Sequence, residues 1–191
     1  KPGYKILDPM SGTGKLKNIY PDAFLNEIEY EWSIQGKPAN AVNGNALCLP
    51  FADKCFDGIF VSPTYSNRMA DHHLAKDSSK RNTYTHVLGR QLHEDNSGKM
   101  QWGNEYIEFH RKAWKESLRV LKSCGIMLLN ISNHIRKGKE VNVVDCHFNI
   151  LTDELRMMPV EQRKVVTPRL RYGANSNKRC KEEYVLVFRK E

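Results

Sequence analysis

Ser62-Pro63-Thr64-Tyr65 puts a hydroxyl acceptor, a rigid carbonyl and an aromatic face into four consecutive residues. That combination suits one chemical task. An amino group on a heteroaromatic ring is a poor nucleophile, because its lone pair is delocalised into the ring. Two acceptors, Ser62 Oγ and the Pro63 carbonyl, can hold its two N–H bonds and favour a pyramidal nitrogen. Tyr65 can stack on a base rotated out of its helix. Orientation then supplies most of the rate, and no general base of unusual pKa is needed. Ser62, Pro63 and Tyr65 are the candidate catalytic residues.

Three upstream features suit a nucleoside-containing cofactor. Asp8-Pro9-Met10-Ser11-Gly12-Thr13-Gly14 follows the apolar stretch Tyr4-Lys5-Ile6-Leu7, as a Gly-rich loop follows a strand. The loop lacks the third glycine of a dinucleotide fingerprint and is not a P-loop. Its place counts for more, because open α/β sheets bind ligands at the carboxyl ends of their strands. Gly12 and Gly14 permit close approach of a ligand to the backbone, and Asp8 offers a carboxylate to a cationic group. Glu27, near the end of a second strand, can accept bonds from both ribose hydroxyls; it is preferred over Glu29 on the same strand face. In Gly44-Asn45-Ala46-Leu47, Asn45 can both donate to and accept from an adenine edge, and Leu47 can pack on the ring.

These loops need a frame. Apolar patterning predicts strands at 4–7, 23–28, 56–61 and 126–131, with a helix start at 29–34. Asn104 is the expected cap of a helix reaching Leu121, with Tyr106, His110, Ala113, Ser117 and Leu121 on one stripe. Val144, His147, Phe148, Leu151 and Leu155 give a second amphipathic helix. Two late strands, near 160–167 and 184–189, have no helix between them. The expected fold is α/β: a mostly parallel twisted sheet with an antiparallel C-terminal edge hairpin. A chain of 191 residues suits one domain, 1–191. Within it, 66–103 is polar and aperiodic, an insert on the substrate side with a turn at Asn96-Ser97-Gly98.

In order and spacing, these motifs resemble class I methyltransferases dependent on S-adenosylmethionine. Asp8 to Gly14 looks like motif I, Glu27 like the acidic ribose ligand, and Gly44-Asn45-Ala46 like the adenine-contact motif. Ser62-Pro63-Thr64-Tyr65 resembles the (Asp/Asn/Ser)-Pro-Pro-(Tyr/Phe/Trp) motif of DNA amino-methyltransferases, and Arg119-Val120-Leu121-Lys122-Ser123-Cys124-Gly125 resembles the segment before strand five. Asn67-Arg68-Met69-Ala70-Asp71-His72-His73 looks like small phage and bacterial DNA methyltransferases. The resemblance implies a Rossmann-like fold and S-adenosylmethionine as cofactor, held by Asp8, Pro9, Met10, Gly12, Gly14, Glu27, Asn45, Ala46 and Leu47. It implies methylation of an exocyclic amino group on adenine or cytosine. Thr64 stands where the family has a second proline, and Asn45 where it usually has aspartate. Motif I begins at residue 8, which fits either a fragment or a minimal form without a separate target-recognition domain.

The net charge of +8 suggests a polyanionic partner. Arg68, Lys80, Arg81 and Arg90 in the insert, with Arg169 and Arg171 in the basic tail, are the candidate phosphate contacts, and Tyr84 a candidate for stacking. DNA is the expected partner, with RNA the second reading. A homodimer or partner subunit would help so small a chain grip a duplex. A small-molecule acceptor, or a non-catalytic subunit that keeps the fold, are further alternatives. Adjacent histidines such as His72 and His73 usually point apart, and no further ligand set stands out, so no metal is expected. The five cysteines form no C-x-x-C pair and read as reduced thiols. No apolar run approaches the roughly 18 residues of a membrane span, and the chain does not open like a signal peptide. A cytoplasmic setting, bacterial or phage-infected, is the expectation.

Overall fold

The computed structural model describes residues 3–34, 40–64, 84–167 and 180–191. Among the described residues nine strands form, seven of them in one sheet: β1 (Ile6–Asp8), β2 (Phe24–Glu27), β3 (Ala41–Asn43), β4 (Phe56–Val61), β5 (Leu121–Ile131), β8 (Met158–Val166) and β9 (Glu182–Arg189). Their spatial order is β3-β2-β1-β4-β5-β9-β8. β1 to β5 pair in parallel. β9 runs antiparallel to β5, and β8 antiparallel to β9, giving the expected antiparallel edge. A separate small hairpin joins β6 (His134–Arg136) to β7 (Lys139–Val141).

Burial explains why these segments are strands. In β1, β4 and β5 the inward side chains Leu7, Ile59, Val61, Met127, Leu129 and Ile131 are almost wholly excluded from water. Strands covered on both faces need such apolar runs. β8 is the opposite case: all nine of its residues are exposed, so its β-branched pattern marks an edge strand.

The 17-residue helix α3 (Asn104–Val120) covers one face of the sheet. All five residues of the expected stripe, Tyr106, His110, Ala113, Ser117 and Leu121, are fully buried. The cap lies one residue earlier than expected: Gly103 is the N-cap and Asn104 the first helical residue, with the Gly103 carbonyl accepting from the Ile107 N–H. The short helices α1 (Tyr30–Ile34), α2 (Tyr84–Leu88) and α4 (Val143–Asn149) complete the set, α4 running on into a wide turn over Ile150–Glu154.

Several elements escaped the sequence pattern, β3, α2 and the β6–β7 hairpin among them. β3 has only three residues, half-buried or exposed, too few to show an alternation. Between β1 and β2 the crossover is a single 3-10 turn, Lys15–Asn18, with Leu16 buried against Ala23 and Leu25. Among the described residues, no helix is long and apolar enough to cross a membrane.

Candidate cofactor and acceptor site

The chain order reverses across β1, which has β2 on one side and β4 on the other. Such a switch point opens a crevice at the carboxyl ends of the strands. Here those ends carry Asp8 and Ser62, the starts of the two loops singled out by sequence. A cavity of about 440 Å³ lies there, lined by Asp8 to Thr13, Glu27, Asn45, Ala46 and Ser62 to Thr64.

The Gly-rich loop is shaped from within. Asp8 Oδ1 accepts the Met10 N–H at 3.1 Å. Gly12 and Gly14 both take positive φ, 50° and 75°, a region that side chains disfavour. A Cβ placed on Gly12 would meet nothing within 4 Å, so this part of the loop faces open space. Gly14 is different. It is the left-handed N-cap of the 3-10 turn and contributes no lining to the cavity. In the structure its part is to turn the chain.

Glu27 is buried and lines the cavity. Its Oε2 accepts the Gly12 N–H at 2.6 Å and its Oε1 the Glu29 N–H at 3.0 Å. The second strand therefore grips the Gly-rich loop through the side chain expected to meet a ribose. Glu29 serves elsewhere. It is fully buried, and its Oε1 accepts from the His93 N–H and from Asn96 Nδ2, both at 2.8 Å. Its Oε2 lies 2.9 Å from Arg90 Nη2, an ion-pair contact.

Asn26 carries no role in the sequence reading, yet it ties the site together. Buried in the middle of β2, its Nδ2 donates to the carbonyls of Pro9 and Gly44, both at 3.0 Å. A Cβ on Gly44 would sit 2.3 Å from Asn26 Oδ1 and 3.1 Å from the Pro50 ring, so glycine is required there by close approach. The available signal was a polar residue at the centre of Phe24-Leu25-Asn26-Glu27.

Asn45 lines the cavity with its amide committed on both sides. Oδ1 accepts the Leu47 N–H at 2.9 Å, and Nδ2 donates to Asp95 Oδ2 at 2.8 Å. Leu47 does not face this cavity. It packs against the core beside Lys115 and Glu116, on the other side of the loop, because the turn held by Asn45 rotates it away. Its expected packing on the adenine ring is corrected accordingly.

In the loop after β4, Ser62 is exposed, Pro63 buried and Thr64 half-buried. Ser62 Oγ accepts from Asn130 Nδ2 at 3.3 Å. The Thr64 carbonyl accepts the Tyr106 hydroxyl at 2.9 Å, and the Thr64 and Ser97 hydroxyls pair at 2.9 Å. Tyr65 lies outside the described residues, as do Arg68, Lys80, Arg81, Arg169 and Arg171.

Two nucleic-acid candidates, Tyr84 and Arg90, are among the described residues. Tyr84 lines the same cavity as Glu27 and meets Trp32 edge-to-face at 5.1 Å. Burial, and then the nearby Glu27 charge, push its phenol pKa up. Arg90 is neutralised by two carboxylates, Glu29 and Glu31. The Arg90 bonds hold Glu31 down at about 2, and the same pairing raises the guanidinium further. In the structure Tyr84 lines the cavity, and Arg90 ties its loop to Glu29 and Glu31. In the basic tail, Arg163 pairs with Glu161 and Lys164 with Glu182. Among the described residues, no group of three metal-ligating side chains occurs.

No protein-family model matches the chain. Over 69 residues it is 33% identical to the demethylmenaquinone methyltransferase of Renibacterium salmoninarum, a match spanning 32% of this chain and 29% of that relative. A solved SAM-dependent methyltransferase of Methanosarcina mazei superposes with a TM-score of 0.59 at 14% identity, covering 100% of this chain and 93% of the other. The N-methyltransferase NodS of Bradyrhizobium japonicum, solved with S-adenosyl-L-homocysteine, gives 0.54 at 13% identity, covering 97% and 76%. At such identities the likeness is one of fold, and the fold is the Rossmann-like one of SAM-dependent methyltransferases, a mostly parallel α/β sheet with antiparallel edge strands.

Proposed function

We propose that the chain is a methyltransferase that uses S-adenosylmethionine and acts on an exocyclic amino group of adenine or cytosine in DNA. One observation carries the reading: Ser62, Pro63 and Thr64 line the same cavity as the Gly-rich loop and Glu27. A donor for the methyl group and an acceptor nitrogen can thus meet within one crevice.

The donor set fits the cofactor. Glu27 presents a carboxylate for ribose hydroxyls beside an open loop backbone at Gly12. Asp8 places a second carboxylate at the end of β1 for a cationic group. Pro9, Met10, Asn45 and Ala46 line the space between. Bound S-adenosylmethionine supplies a methyl group activated by its sulfonium centre. The chain's own part is orientation. Ser62 Oγ, steadied by Asn130, and the Pro63 carbonyl accept the two N–H bonds of the acceptor amine, and Tyr65 stacks on its ring. Several kcal/mol of barrier reduction is the usual yield of such positioning.

A second reading has its own support. The matched relative is named for a quinone substrate, and Arg90, one expected phosphate contact, is spent on carboxylates. A small-molecule acceptor in the same crevice is that alternative. Incubation with methyl-labelled S-adenosylmethionine and, separately, duplex DNA, single-stranded DNA, RNA or a demethylmenaquinone decides between them. Label recovered as N6-methyladenine or N4-methylcytosine after digestion of DNA supports the first reading. Label in RNA alone or in the quinone alone overturns the DNA target and leaves the methyltransferase intact.

A further inference from the structure

Asn45 and Asp95 form a side-chain pair inside the cavity, 50 residues apart in sequence and 2.8 Å apart in space. Asn45 spends its carbonyl oxygen on Leu47 and one amide N–H on Asp95. Asp95 spends one carboxylate oxygen on Asn45. Among the described residues this leaves the second carboxylate oxygen of Asp95 and the second N–H of Asn45.

We propose that Asp95, not Asn45, accepts the 6-amino group of the cofactor's adenine, and that the Asn45–Asp95 pair sets specificity for adenine at this site. The proposal rests on the cofactor reading above and deepens it. Adenine shows an amino donor beside a ring-nitrogen acceptor. The pair offers a carboxylate acceptor beside an amide donor, the complementary pattern. Hypoxanthine reverses both groups, setting a carbonyl against the carboxylate and a ring N–H against the amide N–H.

Position supports the same assignment. β2 and β3 pair with Glu27 opposite Asn43, so Asn45 lies two residues beyond the neighbour of the ribose-binding acid. A base attached to a ribose at Glu27 reaches this corner. Asp95 is also held there by construction. Its own N–H donates to His93 Nδ1 at 3.1 Å, while the flanking His93 N–H and Asn96 amide both bind the buried Glu29 carboxylate. Asn96 Oδ1 closes the loop by accepting the Gly98 N–H at 2.8 Å. Glu29 therefore docks 93–96 onto the end of β2 and fixes Asp95 against Asn45. Half-buried as it is, Asp95 gives a charge-assisted hydrogen bond that bulk water weakens less than one at an open surface.

Calorimetric titration of the whole chain tests this with two probes, S-adenosyl-L-homocysteine and its 6-oxo analogue S-inosyl-L-homocysteine. Wild type should prefer the adenosyl compound by about 10-fold or more, the usual scale for a buried charged hydrogen bond. Asp95→Ala should lose about 10-fold in adenosyl affinity, barely change inosyl affinity, and so lose the preference. The double change Asn45→Asp with Asp95→Ala moves the carboxylate across the pair and should restore the preference, which a merely structural role for Asp95 does not predict. Asp95→Asn keeps the shape and loses the charge; a reduced preference there supports the proposal if the alanine variant fails to fold. Full adenosyl affinity and full preference in Asp95→Ala, or in Asp95→Asn, overturn the role of Asp95 alone. A wild type that binds neither compound overturns the cofactor site and the proposal with it.

Discussion

The hydroxyl of Tyr106, buried on α3, donates to the carbonyl of Thr64 in the loop after β4 at 2.9 Å. The direction of that bond follows from the residues behind it. Trp114 Nε1–H can only donate, and it points at His147 Nδ1 at 2.9 Å. Burial, and then the neighbouring His110, press the His147 pKa well below its ordinary value, so the ring is neutral and its proton sits on Nε2. That N–H faces the Tyr106 oxygen at 3.0 Å, leaving the phenolic proton for Thr64. A core of rings thus aims one hydrogen bond at the acceptor loop.

Tyr106→Phe removes that bond and keeps the packing. It leaves the Thr64 carbonyl and the His147 N–H short of a partner, at a cost of about 1–3 kcal/mol. Urea denaturation should show this loss. Binding of S-adenosyl-L-homocysteine should stay within about 2-fold of wild type, while methyl transfer to the accepted substrate falls about 10-fold in kcat. An unchanged kcat would show that the Thr64 carbonyl does not position the loop for catalysis.

His110 gives the fold an acid limit. It is fully buried, and desolvation lowers its pKa from 6.5 to about 4. The folded state then binds fewer protons than the unfolded one between these values, so stability falls as pH drops through that window and levels off below it. His147 shifts in the same direction. From His110 alone the loss approaches ~3 kcal/mol. Denaturation midpoints at pH 7 and pH 4 should differ accordingly, and His110→Phe should flatten the slope. A flat wild-type profile from pH 7 to 4 contradicts the buried neutral ring.

Much of this was readable from sequence, for physical reasons. The strands at β1, β4 and β5 carry apolar runs, and α3 shows a full helical stripe, so periodicity located them. The loops after β1 and β4 were found through residues whose chemistry is unusual, glycines next to Asp8 and proline next to Ser62. What escaped was what depends on long-range contact. Asp95 sits in a polar stretch with no period, and only its approach to Asn45 gives it meaning. Glu29 and Arg90 looked like a spare ribose ligand and a phosphate contact, yet they pair with each other 61 residues apart. Thr64 looked like a flaw in its motif, but its hydroxyl meets Ser97 and its carbonyl meets Tyr106. Those bonds restrain the loop where a second proline would have done so covalently.

The Arg90 cluster separates an exposed ion pair from a buried one. Glu31 is partly exposed, and solvent screening leaves such a pair only a small contribution. Glu29 is fully buried, and losing its cation takes one partner from a carboxylate already out of water. Arg90→Ala should therefore destabilise clearly more than Glu31→Ala in thermal or urea unfolding. The Glu31 contribution is present above pH 4.5 and disappears as pH falls toward 2, because Arg90 depresses its folded pKa. Equal losses in the two variants would mean that Glu29 does not need the guanidinium.

Glu27 and Ser62 line one cavity on different strands, and their removal should separate binding from transfer. Glu27→Ala deletes the acceptor of the Gly12 N–H and the acid proposed for the ribose. Affinity for S-adenosyl-L-homocysteine should drop about 10-fold or more, since two charge-assisted bonds are lost. Ser62→Ala deletes one acceptor for the substrate amine and leaves the Glu27 carboxylate in place. Its cofactor affinity should stay within about 2-fold, and the transfer rate should fall by about 10-fold or more. Calorimetry with the cofactor product and single-turnover transfer assays on the same two variants read these effects independently. If both variants lose cofactor affinity equally, Glu27 and Ser62 do not divide the work, and the loop after β4 belongs to the cofactor site instead.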